Sequence, residues 1–298
     1  MTENLTLLHF PEDAQIAARL ASLLKARIAP INRHVFPDEE VLLSLPENVD
    51  EQCAIICVLD RPNSKYLQLV FAAAVARERG AQRLGLIAPY LPYMRQDTHF
   101  LPGDVVSARL FANEISQHFD WLVTVDPHLH RIGDLAEVFN IPCAKASAAP
   151  AFAQWILEHL SSPLIIGPDR ESAQWIKEIA SLCGASYIAL SKERQGDAQV
   201  SISNSGLPQK GKMPVLIDDI ASTAETMAKA VALVRGELNI RPYCLCVHAV
   251  FAPGAFERLI ASGPMDILTA NTIPHRSNRI DITAEIAAAV QALTNRTG

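Results

Sequence analysis

The chain of 298 residues is long enough for two domains of ordinary size, and its 49% of hydrophobic residues excludes general disorder. The 26 Lys and Arg residues against 32 Asp and Glu give a formal net charge of −6. An acidic chain without long basic runs is a poor partner for polyanions, so we expect it to bind neither nucleic acid nor a membrane.

The same sequence indicates a cytoplasmic protein. No apolar run approaches the roughly 20 residues that a membrane-spanning helix needs, and the first residues do not have the pattern of a signal peptide. None of the six cysteines forms a C-x-x-C pair, and all lie in or beside apolar sequence. They are therefore expected to be buried, reduced thiols rather than metal ligands or disulfides.

Short apolar runs alternate with helical stretches along the chain. The predicted strands are 54–59, 83–88, 121–125, 164–166, 187–190, 215–217 and 243–250, and the predicted helices are 64–79, 105–118, 171–182 and 223–235. The strands are continuously apolar, which is typical of parallel sheets covered on both faces. The sequence thus predicts an α/β fold of two similar doubly wound, mainly parallel-sheet domains.

Two polar or small-residue stretches interrupt this pattern. Pro142 to Pro150 is rich in small residues and has proline at both ends, so we predict the boundary there, with domains 1–145 and 146–298. Lys192 to Gly211 is polar, contains glycine and lacks helix or strand periodicity. Its beginning is predicted to be a mobile loop.

The sharpest motif is V-L-I-D-D-I-A-S-T-A-E-T, from Val215 to Thr226. A buried strand ends in two carboxylates, and hydroxyl residues follow where a helix begins. Helix N-terminal amides and hydroxyls suit a phosphate, and paired carboxylates suit sugar hydroxyls or Mg²⁺. The alternative is a simple capping box, in which Ser222 caps the helix and Glu225 lies three residues later.

This motif resembles the phosphoribosyl-binding loop of proteins that make or use 5-phosphoribosyl 1-diphosphate. Further segments resemble, in order, motifs of the ribose-phosphate diphosphokinase family: F-P-D-E-E at 36–40, P-Y-L-P-Y-M-R-Q-D at 89–97, T-V-D-P-H at 124–128, P-D at 168–169 and N-T-I-P at 271–274. Two residues depart from the family pattern, since Glu39 and Glu225 each replace a glycine.

The resemblance implies a phosphoribosyltransferase-like fold and a reaction in which the diphosphoryl group of ATP moves to the C1 hydroxyl of ribose 5-phosphate. It implies ATP binding by Phe36, Asp38, Glu40, Arg95, Gln96 and Asp97. It implies ribose 5-phosphate binding by Asp218, Asp219, Ser222, Thr223, Ala224, Glu225 and Thr226. It implies Mg²⁺ ligation by His128 and Asp169, and catalysis by Lys192 and Arg194.

The resemblance also implies a site at the junction of the two domains, with the last helix, Thr283 to Leu293, packing on the first domain. A homo-oligomer, dimer or higher, is expected, in which residues 36–40 serve a neighbouring subunit. Phosphoryl transfer needs positioning and fixed positive charge, which Arg95, Lys192 and Arg194 would supply.

Three alternatives stay open at this stage. Glu39 and Glu225 make a non-catalytic regulatory subunit conceivable, although such a protein has no need for Lys192 and Arg194. A phosphoribosyltransferase is a second alternative, which the nucleotide-type motifs of the first domain disfavour. A diphosphokinase acting on a related sugar phosphate is the third, because Glu225 would reshape the phosphate pocket.

Overall fold

The computed structural model describes residues 5–99, 101–129, 131–169, 172–190, 193–195, 199–201 and 211–295. The chain divides into two compact units, of which unit 1 comprises Met1–Ala146 and Thr283–Gly298, and unit 2 comprises Ser147–Ile282. The boundary lies between residues 146 and 147, within the 142–150 stretch. That stretch contains a sheet strand and the start of a helix.

Unit 1 is built on a parallel sheet. Its elements are β1 (Leu5–His9), α1 (Ala14–Leu24), β2 (Arg27–Pro30), β3 (Asn32–Val35), β4 (Val41–Ser44), β5 (Gln52–Ile56), α2 (Pro62–Glu78), β6 (Arg83–Ala88), α3 (Ser107–His118), β7 (Trp121–Val125) and β8 (Cys143–Ala146). The sheet order is β2-β1-β5-β6-β7-β8, and β3 pairs with β4 in a separate antiparallel hairpin.

Unit 2 repeats this design. Its elements are α4 (Ala149–His159), β9 (Pro163–Gly167), α5 (Ala173–Cys183), β10 (Ser186–Ala189), β11 (Glu193–Gln195), β12 (Gln199–Ser201), β13 (Met213–Ile220), α6 (Glu225–Leu238), β14 (Tyr243–His248), α7 (Ala255–Ala261), β15 (Ile267–Ala270) and β16 (Asn278–Ile280). In the order β10-β9-β13-β14-β15-β16, the first strand β9 lies between β10 and β13, the next two strands of the sheet along the chain. In unit 1, β1 lies between β2 and β5 in the same way.

Every strand pair in the two six-stranded sheets is parallel. The predicted fold class, two similar doubly wound α/β domains, is therefore confirmed. The continuous apolar runs of the central strands are buried on both faces, as their lack of alternation indicates. In such sheets ligands bind beyond the carboxyl ends of the strands, beside the strand where the order reverses.

The last helix, α8 (Thr283–Thr294), belongs to unit 1, where it packs against α1, β7 and β8.

Strands β6 and β7 of unit 1 approach each other closely at Gly85. A Cβ atom on Gly85 would lie 2.0 Å from the ring of Trp121, so only glycine lets this buried tryptophan cross the sheet at that point.

Two local predictions were wrong. The stretch from Lys192 to Gly211 contains strands β11 and β12, which pair antiparallel between Glu193–Gln195 and Gln199–Ser201, although it shows no strand periodicity. Helix α6 begins at Glu225 rather than Thr223, and Ser222 does not cap it. The residue at the N-cap position is Ala224, in a left-handed conformation with φ 58° and no side-chain hydrogen bond.

Candidate active site

Two carboxylates lie at the carboxyl end of β13, next to the reversal of strand order in unit 2. The amide of Asp219 donates to Asp218 Oδ1 at 3.0 Å. Burial, reinforced by the carboxylates of Asp219 and Asp169, raises the pKa of Asp218 well above its usual range. Such a group retains a proton or calls for a cation or hydroxyl donors beside it. These residues form an acidic site at the end of β13.

Asp169, predicted as a metal ligand, belongs to the same region. It follows β9, the neighbour of β13 in the sheet, and its Oδ1 accepts the amide of Ser172 at 3.2 Å. Its effect on the pKa of Asp218 shows that the two carboxylates interact. Among the described residues no group of three or more His, Cys, Asp or Glu has the geometry of a ready-made metal site.

Beyond β13 the chain makes the turn of residues 222–226 and enters α6. The carbonyl of Ser222 accepts the amide of Ala252 at 3.1 Å, and the carbonyl of Thr223 accepts Arg258 Nη1 at 2.9 Å. Ala224 then adopts its left-handed conformation. The first-turn amides of a helix have no intrahelical acceptors, so the 222–226 turn presents N–H groups to an anion.

Glu225 is the first residue of α6, and its side chain is exposed. Among the described residues its carboxylate has no hydrogen-bond or ion-pair partner, and the capping box with Ser222, which was the alternative interpretation of this motif, is absent. A carboxylate at this end of a helix interacts favourably with the helix dipole. The carboxylate of Glu225 therefore competes with a bound anion for the favourable electrostatic field at the N-terminus of α6.

In unit 1 the predicted ATP-binding residues of the 89–97 motif follow β6. Arg95 Nε is buried and has no hydrogen-bond partner among the described residues. Gln96 is exposed, and its Oε1 accepts the hydroxyl of Ser107 at 2.6 Å. An unpaired buried guanidinium nitrogen carries an energetic cost that an oxygen ligand would remove.

Asp97 has a different environment from its two neighbours. Its side chain is only 1% exposed and forms an ion pair with Arg131, in which Oδ1 lies 2.9 Å from Nη1. The backbone amide of Arg131 also donates to Asp97 Oδ2 at 3.1 Å. Asp97 thus holds the segment after β7, which carries His128, while its own carboxylate faces protein groups.

His128 follows β7 in unit 1, whereas Asp169 lies in unit 2. The 36–40 motif forms the tip of the β3–β4 hairpin, where the amide of Phe36 donates to the carbonyl of Glu40 at 2.8 Å. Asp38 Oδ1 accepts the amide of Glu40 at 3.2 Å. Phe36 is 41% exposed, which leaves its ring open to an external partner.

Of the two predicted catalytic residues, Lys192 lies outside the described residues. Arg194 occupies the middle of β11, paired with Val200 of β12.

Strained backbone marks four of the motifs. Each contains one residue other than glycine with positive φ: Glu39 (69°), Tyr93 (66°), Asp126 (30°) and Ala224 (58°). Such conformations cost roughly 1–3 kcal/mol and cluster at functional sites. At Glu39 the strain also explains why a glycine is the usual residue of the resembled motif.

Sequence reasoning missed the residues that support these segments. Arg131 and Arg258 bind their partners across 34 and 35 positions of sequence, respectively. Thr272 of the 271–274 motif donates to the carbonyl of Val247 at 2.8 Å and meets His248 Nδ1 at 3.0 Å. Because the threonine hydroxyl donates to a carbonyl, it accepts from the ring of His248. The motif therefore fixes the end of β14, and no local signal predicts such a pairing.

Comparison with known proteins first defines the class. Residues 5–118 match the N-terminal domain of ribose phosphate pyrophosphokinase, and residues 136–260 match the phosphoribosyl transferase domain. In the described part of the chain, no helix is long and apolar enough to cross a membrane.

Full-length relatives then define the family. The chain is 33% identical to a ribose-phosphate pyrophosphokinase of Methanopyrus kandleri over 95% of this chain and 97% of the relative. It is 30% identical to that of Sulfolobus acidocaldarius over 90% and 92%. The crystal structure of phosphoribosylpyrophosphate synthetase from Mycobacterium smegmatis has the same fold, with a TM-score of 0.84 at 23% identity over 99% of this chain and 100% of that one. The chain belongs to the ribose-phosphate pyrophosphokinase family.

Proposed function

We propose that the protein transfers the β,γ-diphosphoryl group of ATP to the C1 hydroxyl of ribose 5-phosphate. The C1 oxygen bonds to the β-phosphorus, the bond from that phosphorus to the α-phosphate oxygen breaks so that AMP leaves with this oxygen, and the C1 hydroxyl gives its proton to solvent. The products are 5-phosphoribosyl 1-diphosphate and AMP. The observation that carries this proposal is the acidic end of β13 leading into the anion-binding 222–226 turn, in a chain of this family.

The 222–226 turn supports a site for the 5-phosphate. Amides of Thr223, Ala224, Glu225 and Thr226 would donate to the phosphate oxygens, together with the hydroxyls of Ser222, Thr223 and Thr226. Asp218 and Asp219 would accept hydrogen bonds from the ribose hydroxyls. This assignment satisfies both halves of the site, because N–H donors face the anion and carboxylates face the sugar.

Arg95 supports the nucleotide site, because its buried, unpaired Nε calls for an oxygen acceptor. We propose that Arg95 binds a phosphate of ATP and that Gln96 donates to the base or ribose. Phe36, Asp38 and Glu40 would contact adenine and ribose from the tip of their hairpin. Asp97 would act through Arg131, holding the segment after β7 rather than touching ATP.

Asp169 and His128 are the proposed ligands of Mg²⁺. The fit rests on the carboxylates of unit 2: burial raises the pKa of Asp218, the charges of Asp219 and Asp169 add to the rise, and a divalent cation beside these carboxylates would offset both effects. When bound, Mg²⁺ neutralises phosphate charge. Lys192 and Arg194 would supply further positive charge to the transferring group and so act as the catalytic residues.

The test is AMP release from MgATP with and without ribose 5-phosphate, with the products followed by phosphorus NMR. We expect AMP only with the sugar phosphate, together with a C1-diphosphate signal. Lys192→Ala should abolish turnover while preserving ATP binding, and Lys212→Ala is the matched control. Folded protein that binds ATP but releases no AMP would contradict the proposal and favour another sugar acceptor or a regulatory subunit.

We also propose a homo-oligomer, dimer or higher, in the cytoplasm. The β3–β4 hairpin exposes Val35 and Leu42 beside Phe36, at 54%, 56% and 41%, which suits a subunit contact. All six cysteines are free, as a reducing compartment requires, although Cys143 and Cys183 are only half-buried. Light scattering of the purified protein measures the mass, and a monomer would contradict this part of the proposal.

A further inference from the structure

The two carbonyls that precede the left-handed residue of the 222–226 turn are both held by the segment between β14 and α7 and by α7 itself. Ala252 donates its amide to the Ser222 carbonyl, and Arg258 donates Nη1 to the Thr223 carbonyl. These contacts lie on one side of the turn. Resemblance to known motifs assigns no role to either donor.

Hydrogen bonds that fix these two carbonyls also fix the direction of the N–H groups in the same peptide groups. The described residues contain no cis peptide bond. In a trans peptide the C=O and the following N–H point in opposite directions. The bond from Arg258 therefore turns the amide of Ala224 away from α7, and the bond from Ala252 does the same for the amide of Thr223.

We propose that Arg258 is a positioning residue for phosphate binding: by holding the Thr223 carbonyl, its guanidinium keeps the amides of the 222–226 turn directed at the phosphate of the substrate. This inference rests on the proposed function, because it takes the ligand of the turn to be a phosphomonoester. Arg258 acts through the backbone, and it also adds one positive charge next to a turn that carries Glu225.

The helix that carries Arg258 is itself anchored. The ring of Phe256 lies 5.1 Å from that of Phe251 and 4.7 Å from that of His275, measured between centroids. The guanidinium carbon of Arg276 lies 4.4 Å above the Phe256 ring. Because packing of α7 fixes the backbone of Arg258, removal of its side chain should free the turn without unfolding the helix.

The experiment measures binding of ribose 5-phosphate, inorganic phosphate and ATP to the full chain by calorimetry. Arg258→Ala should raise the Kd for ribose 5-phosphate and for inorganic phosphate about tenfold, which is the size expected for losing a hydrogen bond from a charged donor. The Kd for ATP and the thermal midpoint should stay near the wild-type values. In turnover, the KM for ribose 5-phosphate should rise while the KM for ATP does not.

Two conservative variants separate hydrogen bonding from charge. Arg258→Lys keeps a donor and the charge, and Arg258→Gln keeps a neutral donor. If the carbonyl contact matters, both recover part of the affinity, and they replace the alanine variant should it fail to fold. If Gln binds phosphate as weakly as Ala does, Arg258 acts by charge alone and the positioning role is overturned.

Arg241→Ala is the matched control. Its guanidinium also donates to carbonyls, those of Gly263 and Pro264, but before the start of β14, at the opposite end of the sheet. Its removal should leave phosphate binding unchanged.

The outcomes distinguish this inference from the proposed function. Unchanged phosphate binding by Arg258→Ala, or an equal loss of ATP binding, would overturn the inference. Wild-type protein that binds ribose 5-phosphate but releases no AMP would overturn the proposed function alone, since the binding comparison would still decide the role of Arg258. Wild-type protein that binds neither ribose 5-phosphate nor inorganic phosphate would overturn both.

Discussion

Glu225 opens α6 with an exposed, unpaired carboxylate where the proposed phosphate would bind. A negative charge there occupies the favourable field of the helix N-terminus and repels a phosphate. We expect Glu225→Gln to lower the KM for ribose 5-phosphate about fivefold, an effect of about 1 kcal/mol, with a smaller gain at high salt. Steady-state kinetics at two ionic strengths provides the measurement.

The matched control is Glu237→Gln, which makes the same charge change near the exposed C-terminal end of α6. It should leave this KM unchanged. A KM for ribose 5-phosphate that rises in Glu225→Gln would show that the carboxylate assists binding. Such a role for Glu225 is expected if the natural substrate is a sugar phosphate other than ribose 5-phosphate.

Asp13 is a buried carboxylate in unit 1 whose Oδ1 has no hydrogen-bond partner in the part of the chain that the structure describes. Its Oδ2 accepts the amide of Val58 at 3.2 Å. Burial raises the pKa of Asp13 to about 7 despite the attraction of Lys65, with Glu12 and Asp60 adding to the rise. The folded protein therefore keeps this proton up to neutral pH, whereas the unfolded chain releases it near pH 4.

The sign of the pH dependence follows. Because the folded state binds the extra proton between about pH 4 and pH 7, stability is lost as the pH rises through that range. Asp13→Asn removes the titration, so its advantage in free energy of unfolding over wild type should grow by about 2 kcal/mol from pH 5 to pH 8. Urea unfolding at both values measures this difference. A constant difference would contradict the raised pKa.

At the scale of elements, the sequence predicted the central strands β5, β6 and β7 of unit 1 better than β1 and β8, which lie nearer the edges of the sheet. The runs at 54–59, 83–88 and 121–125 are almost entirely apolar and became β5, β6 and β7 with shifts of a few residues at most. β1 was missed because Thr6 and His9 interrupt its apolar pattern, and both are buried through tertiary contacts. β8 was missed because C-A-K-A has no strand signature, and its strand conformation depends on pairing with β7.

The contact between Asp97 and Arg131 joins two such elements, the segment after β6 and the segment after β7. Arg131→Ala would leave a buried carboxylate without its ion pair, which costs about 1–3 kcal/mol since Arg131 itself is 57% exposed. We expect that loss in urea unfolding, together with a raised KM for ATP. The segment carrying His128 would lose its guanidinium contact with Asp97 and keep the hydrogen bond from the backbone amide of residue 131.

The double variant Asp97→Asn with Arg131→Ala supplies the control. It removes the buried charge as well as its partner, so much of the lost stability should return. Activity should not return, because the segment after β7 still lacks the guanidinium contact that positions it. Recovery of both would show that the pair serves folding alone.

At the scale of the molecule, the sequence predicts the candidate-site residues that lie at the ends of strands. It does not predict the residues that support the site from distant positions in the sequence. Asp218 and Asp219 follow a buried strand, so the rule for parallel sheets locates them. The left-handed conformation of Ala224 cannot be predicted from the residue type, because the closure of the turn imposes it and not the alanine itself. Arg258 looks like an ordinary helix-surface charge until the fold brings it to Thr223.

The chain leaves unit 1 after Ala146 and returns at Thr283, so α8 completes a unit that began 282 residues earlier. Val290 of α8 is fully buried, on a helix that packs against α1, β7 and β8. Val290→Ala should lower the free energy of unfolding of unit 1 by about 2 kcal/mol, through lost apolar contact and the cavity left behind. Exposed Gln291→Ala is the control, with an expected change within about 0.5 kcal/mol.

Hydrogen exchange read by mass spectrometry locates the effect of Val290→Ala. If α8 belongs energetically to unit 1, amides of β8 and α1 should exchange faster, whereas those of β13 and β14 in unit 2 should keep their wild-type rates. Faster exchange confined to unit 2 would contradict this assignment. Equal acceleration in both units would instead show that the chain unfolds as one cooperative body, in which α8 stabilises unit 2 as much as unit 1.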